Sequence, residues 1–391
     1  MRDFNYYNPS RILFGRNALL KLPQYLSHYQ GSVLFHYGQN SIKENHIYDK
    51  VITLLQDNHI SYIELGGVSP NPTFELVNEG ISMCKKHNIS FILAVGGGSV
   101  IDSAKAIAAG VYVLETSDYW NDYFMKELAP DLSLPVGVIL TMPASGSEVS
   151  YECVITNKFT KFKRSMGAEH MIPRFAIINP EFHITLPAYE TACGCADILS
   201  HLMERYFTQL TNVDLTDRLL EACMRTVINY TPLALKDPSN YDIRAEIAWS
   251  ATIAHNRLLD TGRRGDWASH EIQHSLGAFY NIRHGEGLSV IFPAWMKYVW
   301  NENPFRFIQF AQRVWNVDLA LEHEELIINK AINSLESFLD SIGLATHLYQ
   351  LNIDNTQFDL LADNVLTGRS HIGRFKKLEH NDIVSIYQLA Q

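Results

Sequence analysis

From Ser32 to Thr141 the chain alternates short unbroken apolar runs with longer stretches in which apolar residues recur every three or four positions. SVLFHY (Ser32–Tyr37), SYIEL (Ser61–Leu65), FILAV (Phe91–Val95) and VGVILT (Val136–Thr141) have the length and the β-branched and aromatic content of strands. The segments Ile47–Asn58, Thr73–His87 and Ser99–Gly110 between them have helical periodicity. Alternation of this kind predicts a parallel sheet with helices on both faces, a doubly wound, Rossmann-like α/β fold. YECVIT and FAIIN predict two more strands beyond that core. After NPEFHITLP the strand-like runs stop. From Pro187 the pattern is helical, punctuated by Pro232, Pro238, Gly262, Gly285 and Pro304, and is clearest in VIFPAWMKYVW and LEHEELIINKAINSLESFLDSIG. The shift in periodicity predicts an α/β domain over residues 1–186 and an all-helical domain over 187–391, without internal repeats.

A length of 391 residues with 47 % hydrophobic content is consistent with two cores of that size. The net charge of −10 argues against a nucleic-acid or anionic-membrane partner, since either would need a field of the opposite sign. Small-molecule substrates are the expected partners. No run approaches the ~20 apolar residues that span a bilayer. The opening MRDFNYYNPSRILFG lacks the apolar core of a signal peptide, so a cytoplasmic location is expected. Five cysteines (Cys84, Cys153, Cys193, Cys195, Cys223) without a CxxC pair give neither a disulfide framework nor a thiolate zinc site.

Two stretches carry candidate chemistry. FILAVGGGSVID is a buried strand, a run of Gly96, Gly97 and Gly98, and a helix opening at Ser99. Glycines let backbone approach a phosphate, and the unpaired N–H groups of a helix start donate to it. At the end of the first strand, YGQNSIK (Tyr37–Lys43) has no acid before Glu44 but offers Ser41 and Lys43. An NAD site tends to place a carboxylate there for the ribose hydroxyl, so the composition favours NADP.

In the helical half, CADILSHLMERYF puts Asp197 and His201 four apart, and DWASHEIQH repeats that spacing with His270 and His274. Side chains at i and i+4 leave one helix face and can converge on one ion. With His284 in the following turn, the chain offers one carboxylate and up to four imidazoles, a set suited to Zn²⁺ or Fe²⁺. HEIQH also spells the HExxH pattern of zinc proteases, in which Glu271 would be the general base. That scheme leaves the glycine cradle and the Asp197/His201 pair unused.

GGGSVID, TMPASGSEVS, LPAYETACGCADILSHLMERY and DWASHEIQHSLGAFYNIRHGEGLSVIFPAWMKY together resemble the iron-containing alcohol dehydrogenase family, nearest its butanol dehydrogenase and NADPH-dependent aldehyde reductase branch. The resemblance implies a dehydroquinate synthase-like architecture and a metal-dependent oxidoreductase that moves hydride between NADP(H) and small aldehydes or primary alcohols. It implies Asp197, His201, His270 and His284 as metal ligands and His274 as a neighbour that positions substrate or carries a proton. Gly96, Gly97, Gly98, Ser99 and Asp102 match its pyrophosphate and nicotinamide-ribose positions. Asn71, Thr141, Ser145 and Lys163 match further cofactor contacts, and Gly38 and Ser41 flank the 2′-phosphate. A homodimer fits the family, and a strand around RILFG could pair across its two-fold axis. Glu271, Arg263 and Arg264 have no family role, and a solvated loop is expected for the two arginines. The alternatives are a metal-dependent lyase or synthase on the same fold that uses NAD only transiently, and, more remotely, the zinc protease.

Overall fold

The computed structural model describes residues 1–320 and 323–391, so that Leu321 and Glu322, the first two letters of the LEHEEL helical pattern, lie outside the described residues. Its contacts divide the chain into two compact units. One comprises Tyr7–Leu186 with Pro238–Ala248; the other comprises Met1–Tyr6, Pro187–Asp237 and Trp249–Gln391.

The first unit is built on strands β1 (Arg11–Phe14), β2 (Ser32–Tyr37), β3 (Tyr62–Leu65), β4 (Ile89–Gly97), β5 (Val136–Met142), β6 (Glu152–Asn157), β7 (Phe162–Gly167) and β8 (Phe175–Ile178). Helices α1 (Leu22–Leu26), α2 (Ser41–Glu44), α3 (Ile47–Asp57), α4 (Phe74–Lys86) and α5 (Gly98–Gly110) connect them. Six strands form one parallel sheet in the order β1-β8-β5-β4-β2-β3. Successive residues of a strand face opposite sides, and both sides are buried here. Ile92, Ala94, Val138 and Leu140 join the core under α4 and α5, whereas Phe91, Leu93, Val95 and Ile139 join the one under α1 and α3. Burial on both faces is what made these strands read as continuous apolar runs.

One of the two later strands departs from the pattern-based expectation. FAIIN is not peripheral: β8 lies inside the sheet, between β1 and β5. YECVIT does lie outside the sheet, as β6 of an antiparallel hairpin with β7. An apolar run reports burial but not which neighbours a strand chooses. β1 occupies a sheet edge, with β8 on its one paired side.

The second unit is helical. Its helices are α6 (Ala188–Tyr206), α7 (Asp214–Lys236), the later part of α8 (Tyr241–His255), α9 (Ala268–Tyr280), α10 (His284–Val299), α11 (Pro304–Trp315), α12 (Glu324–Ser341), α13 (Phe358–Leu366) and α14 (His380–Leu389). Every residue of α6 from Thr191 to Tyr206 is buried, and the helix packs against α7 and α10. Phe207, Phe292, Trp295, Phe307 and Phe375 close around its C-terminal end with ring centroids 4.6–6.4 Å apart. A helix enclosed in this way holds its side chains in fixed rotamers. Among the described residues no helix is long and apolar enough to cross a membrane.

Candidate metal centre and phosphate cradle

Asp197 and His201 leave one face of α6, and α9 brings His270 to them. One ligand atom from each of the three buried residues lies within 4.8 Å of the others. His201 Nε2 is 3.7 Å from Asp197 Oδ1, and the His201 and His270 rings stack with centroids 4.8 Å apart. His284, at the first position of α10, brings its own Nε2 to 3.7 Å from Asp197 Oδ1. It lies outside the compact trio and is about a quarter exposed. Burial, reinforced by the neighbouring His255 and His270 imidazoles, drives the His201 pKa well below its ordinary value. The ring is therefore neutral and keeps a lone pair for a metal.

The donor set fits a divalent ion. His270 Nε2 is buried without a hydrogen-bond partner, a state that buried polar atoms rarely adopt unless something else coordinates them. One carboxylate with three imidazoles suits Zn²⁺ or Fe²⁺. Cys193, one turn before Asp197, adds no thiolate, because burial pushes its thiol up to about 12.

Glu204 and Gln273, which no ligand pattern in the sequence includes, stand behind two of these rings. Glu204 Oε1 accepts from His270 Nδ1 at 2.8 Å, and the Gln273 side-chain carbonyl accepts from His284 Nδ1. An acceptor at Nδ1 fixes the tautomer and leaves Nε2 as the lone-pair nitrogen. The missed signal is periodic: Asp197, His201 and Glu204 stand at i, i+4 and i+7 on one helix stripe. His274 is buried and stacks on His284 with centroids 5.5 Å apart. Glu271, the acid of HExxH, forms an ion pair with Arg369 at 2.8 Å.

The expectation of a solvated loop fails for Arg263. Its side chain is wholly buried, pairs with Asp217 at 2.5 Å and donates to the carbonyls of Arg205 and Val213. Arg306 meets the other oxygen of Asp217 at 2.7 Å, so one carboxylate from α7 bridges two guanidiniums. Arg264 is exposed, as a loop residue would be.

In the α/β unit, β4 ends at Gly97 and α5 begins at Gly98. No side chain caps α5, so its first N–H groups remain for a ligand. A Cβ at Gly98 would lie 2.3 Å from Ser145 Oγ, so any larger residue there would force the Ser145 side chain to shift. Ser99 Oγ donates to Pro70 O at 2.5 Å, and Lys163 Nζ donates to Asn71 Oδ1 at 3.1 Å with both side chains buried. The loop 69–73 and the β6–β7 hairpin thus meet this end of the sheet. Thr141 lies at the irregularity where Gly96 pairs with Leu140 and Gly97 with Met142. Asp102 accepts from Ser147 Oγ at 2.6 Å and from Val154 N at 3.0 Å. Burial raises its pKa, opposed by the Lys105 ammonium. Gly38 follows β2, the neighbour of β4, and Ser41 opens α2 exposed to solvent. Lys43 Nζ lies over the Tyr37 and Tyr48 rings, 5.4 and 5.1 Å from their centroids.

Comparison with known proteins bears on both sites. The family profile "Iron-containing alcohol dehydrogenase" matches residues 9–180, and "Fe-containing alcohol dehydrogenase family, C-terminal" matches residues 191–391. The chain is 41 % identical over 386 residues to the probable NADH-dependent butanol dehydrogenase 1 of Bacillus subtilis, covering 99 % of each. It is 35 % identical to the NADPH-dependent aldehyde reductase YqhD of Escherichia coli, covering 92 % of each. The crystal structure of NADH-dependent butanol dehydrogenase A from Thermotoga maritima superposes with a TM-score of 0.94 at 38 % identity, covering 100 % of this chain and 99 % of that one.

Proposed function

The chain belongs to the iron-containing alcohol dehydrogenase family, and from that premise we propose that it transfers hydride reversibly between NADP(H) and small aldehydes or primary alcohols. The observation that carries this reading is the buried group of Asp197, His201 and His270. Together with His284 these residues would hold one Fe²⁺ or Zn²⁺ ion. A bound ion of this kind supplies Lewis acidity to a carbonyl or hydroxyl oxygen, and a bound nicotinamide supplies or accepts the hydride.

The protein's own part is to bind, to orient and to move a proton. Burial keeps the His201 imidazole neutral, and acceptors behind His270 and His284 hold those rings in one tautomer. Gly96, Gly97, Gly98 and Ser99 offer backbone donors to a pyrophosphate at the start of α5. Asn71, Asp102, Thr141, Ser145 and Lys163 would offer hydroxyl, amide and charged groups to a ribose and a nicotinamide, a reading supported by the closeness of Ser145 to Gly98 and of Pro70 to Ser99. His274, one turn along α9 from His270, is the group assigned to carry the alcohol proton.

NADP(H) is supported by the want of a carboxylate between Gly38 and Lys43 and by Ser41 and Lys43 themselves. NADH is the second reading, supported by the name of the Bacillus subtilis relative. A homodimer is supported by the one-sided pairing of β1 at the sheet edge, and its mass in solution tests it.

The deciding experiment follows the absorbance of NADPH, and separately of NADH, as butanal is added to protein loaded anaerobically with Fe²⁺ or Zn²⁺. Metal-dependent oxidation that vanishes in Asp197→Ala is the expected result, and the two rates rank the cofactors. No turnover with either metal or cofactor across a panel of aldehydes would overturn the reductase reading in favour of a lyase.

A further inference from the structure

We propose that Glu204 is the positioning residue of the metal centre, one buried carboxylate that fixes both the His270 imidazole and the helix end that carries it. The inference rests on the reading of His270 as a metal ligand.

Glu204 is 1 % exposed and stands on the α6 stripe that presents Asp197 and His201. Its Oε1 accepts from His270 Nδ1 at 2.8 Å and from His270 N at 3.2 Å, and its Oε2 accepts from Trp267 N at 2.5 Å. The residue thus does two things with one group. It satisfies N–H donors at the start of α9, where a negative charge complements the helix dipole. It also receives the Nδ1 proton, so that the other ring nitrogen of His270 is the one left to coordinate. The same carboxylate sees the backbone and the ring of one residue, so the ring cannot rotate without losing a bond to a group held in place by the helix.

The contrast inside the site shows why the charge matters. His284 has the neutral Gln273 carbonyl behind it, and His270 has an anion. An anionic acceptor strengthens the donor power of an imidazole more than an amide does, because it stabilises the positive charge that the ring gains on coordination. The centre therefore has one strongly donating imidazole anchored through α6, the helix that also supplies Asp197 and His201.

A helix cap alone would stabilise the protein equally with and without metal, whereas a positioning residue changes metal affinity. The test titrates Zn²⁺ against a chromophoric chelator into wild-type protein and the variants Glu204→Gln, Glu204→Asp and His270→Ala, and records the melting temperature of each with and without Zn²⁺. Glu204→Gln is expected to weaken binding about 10–100-fold and to shrink the Zn²⁺-induced rise in melting temperature. Glu204→Asp keeps the charge, and its loss is expected to be smaller; it stands in for the Gln variant should that variant not fold. Wild-type affinity in the Glu204 variants, alongside weakened binding in His270→Ala, would overturn the inference and leave the metal centre intact. Wild-type affinity in His270→Ala would overturn the metal reading itself.

Discussion

Replacing Gly285 with alanine tests whether the metal centre depends on how closely two helices approach. Gly285 follows His284 at the start of α10, and a Cβ there would lie 1.9 Å from the backbone oxygen of Cys193 and 2.7 Å from its carbonyl carbon. The obstruction is main chain in the buried part of α6, so no side chain can swing aside. A C···O contact settles at about 3.3 Å, so relief needs roughly 1.4 Å of displacement between α10 and α6. Such overpacking typically costs about 1–3 kcal/mol, and a clash with backbone belongs at the upper end. The same displacement separates His284 from Asp197, whose facing atoms are now 3.7 Å apart. A misplacement of ~1 Å in a catalytic geometry can lower turnover about 100-fold. The expected outcome is therefore a melting temperature lowered together with a weaker Zn²⁺ affinity and a lower kcat/KM. Ile139→Val, in the sheet core of the other unit, is the control: a loss of about 1 kcal/mol with metal affinity unchanged. If Gly285→Ala loses less than about 0.5 kcal/mol and binds Zn²⁺ as wild type does, close helix contact does not set the site and the reasoning fails.

Four further outcomes follow. His36 and His183 are fully buried, and burial lowers each pKa to about 4, against 6.5 unfolded. The unfolded chain therefore takes up protons first as pH falls, so stability is full above ~6.5 and declines toward 4, by up to about 3 kcal/mol per histidine; urea unfolding across that range should show a shallower decline in His36→Gln. Arg263→Met removes one of two guanidiniums from buried Asp217 and should cost about 3 kcal/mol in chemical denaturation; a loss of under about 1 kcal/mol would mean that Arg306 suffices. Glu271→Gln breaks the partly exposed pair with Arg369, so aldehyde reduction should stay within about twofold, where a protease-type general base would lose its activity. His274→Ala should slow turnover about 100-fold or more while its Zn²⁺ affinity changes little; loss of the metal would instead make His274 a ligand.

The parts of the fold that could be read from the sequence are those where one physical demand dominates. β2, β4 and β5 are buried on both faces, so their central runs VLF, FILAV and VGVIL are apolar, and α3 and α4 keep a helical period because one stripe of each is buried. Strand order has no such local trace: FAIIN is as apolar as an interior strand must be, yet only pairing with β1 and β5 shows that it is one. The grouping of Pro238–Ala248 with the α/β unit carries no signature either, since it depends on contacts with residues far away in sequence. Arg263 shows the limit of residue type as a guide. An arginine beside another arginine and a glycine suggests solvent, and the partner that reverses this, Asp217, is 46 positions away on α7.

The two histidine-bearing helices place their acids differently, and this answers the question that HEIQH poses. At ~100° per residue, Glu204 comes within about 20° of Asp197 after seven positions on α6, so it shares the ligand stripe. Glu271 follows His270 directly, about 100° round α9, and there it meets Arg369. The HExxH letters thus fall on two imidazoles of α9, but the acid they include pairs with Arg369, and the carboxylate on His270 is Glu204. The carboxylate on His270 comes from α6, 66 positions away, where no motif confined to one helix could include it. A short pattern can identify ligand types because helical spacing is local. Which acid meets which ring is decided by how α9 meets α6, and that meeting is held where Asp266 N donates to Glu204 O and Trp267 N to Glu204 Oε2.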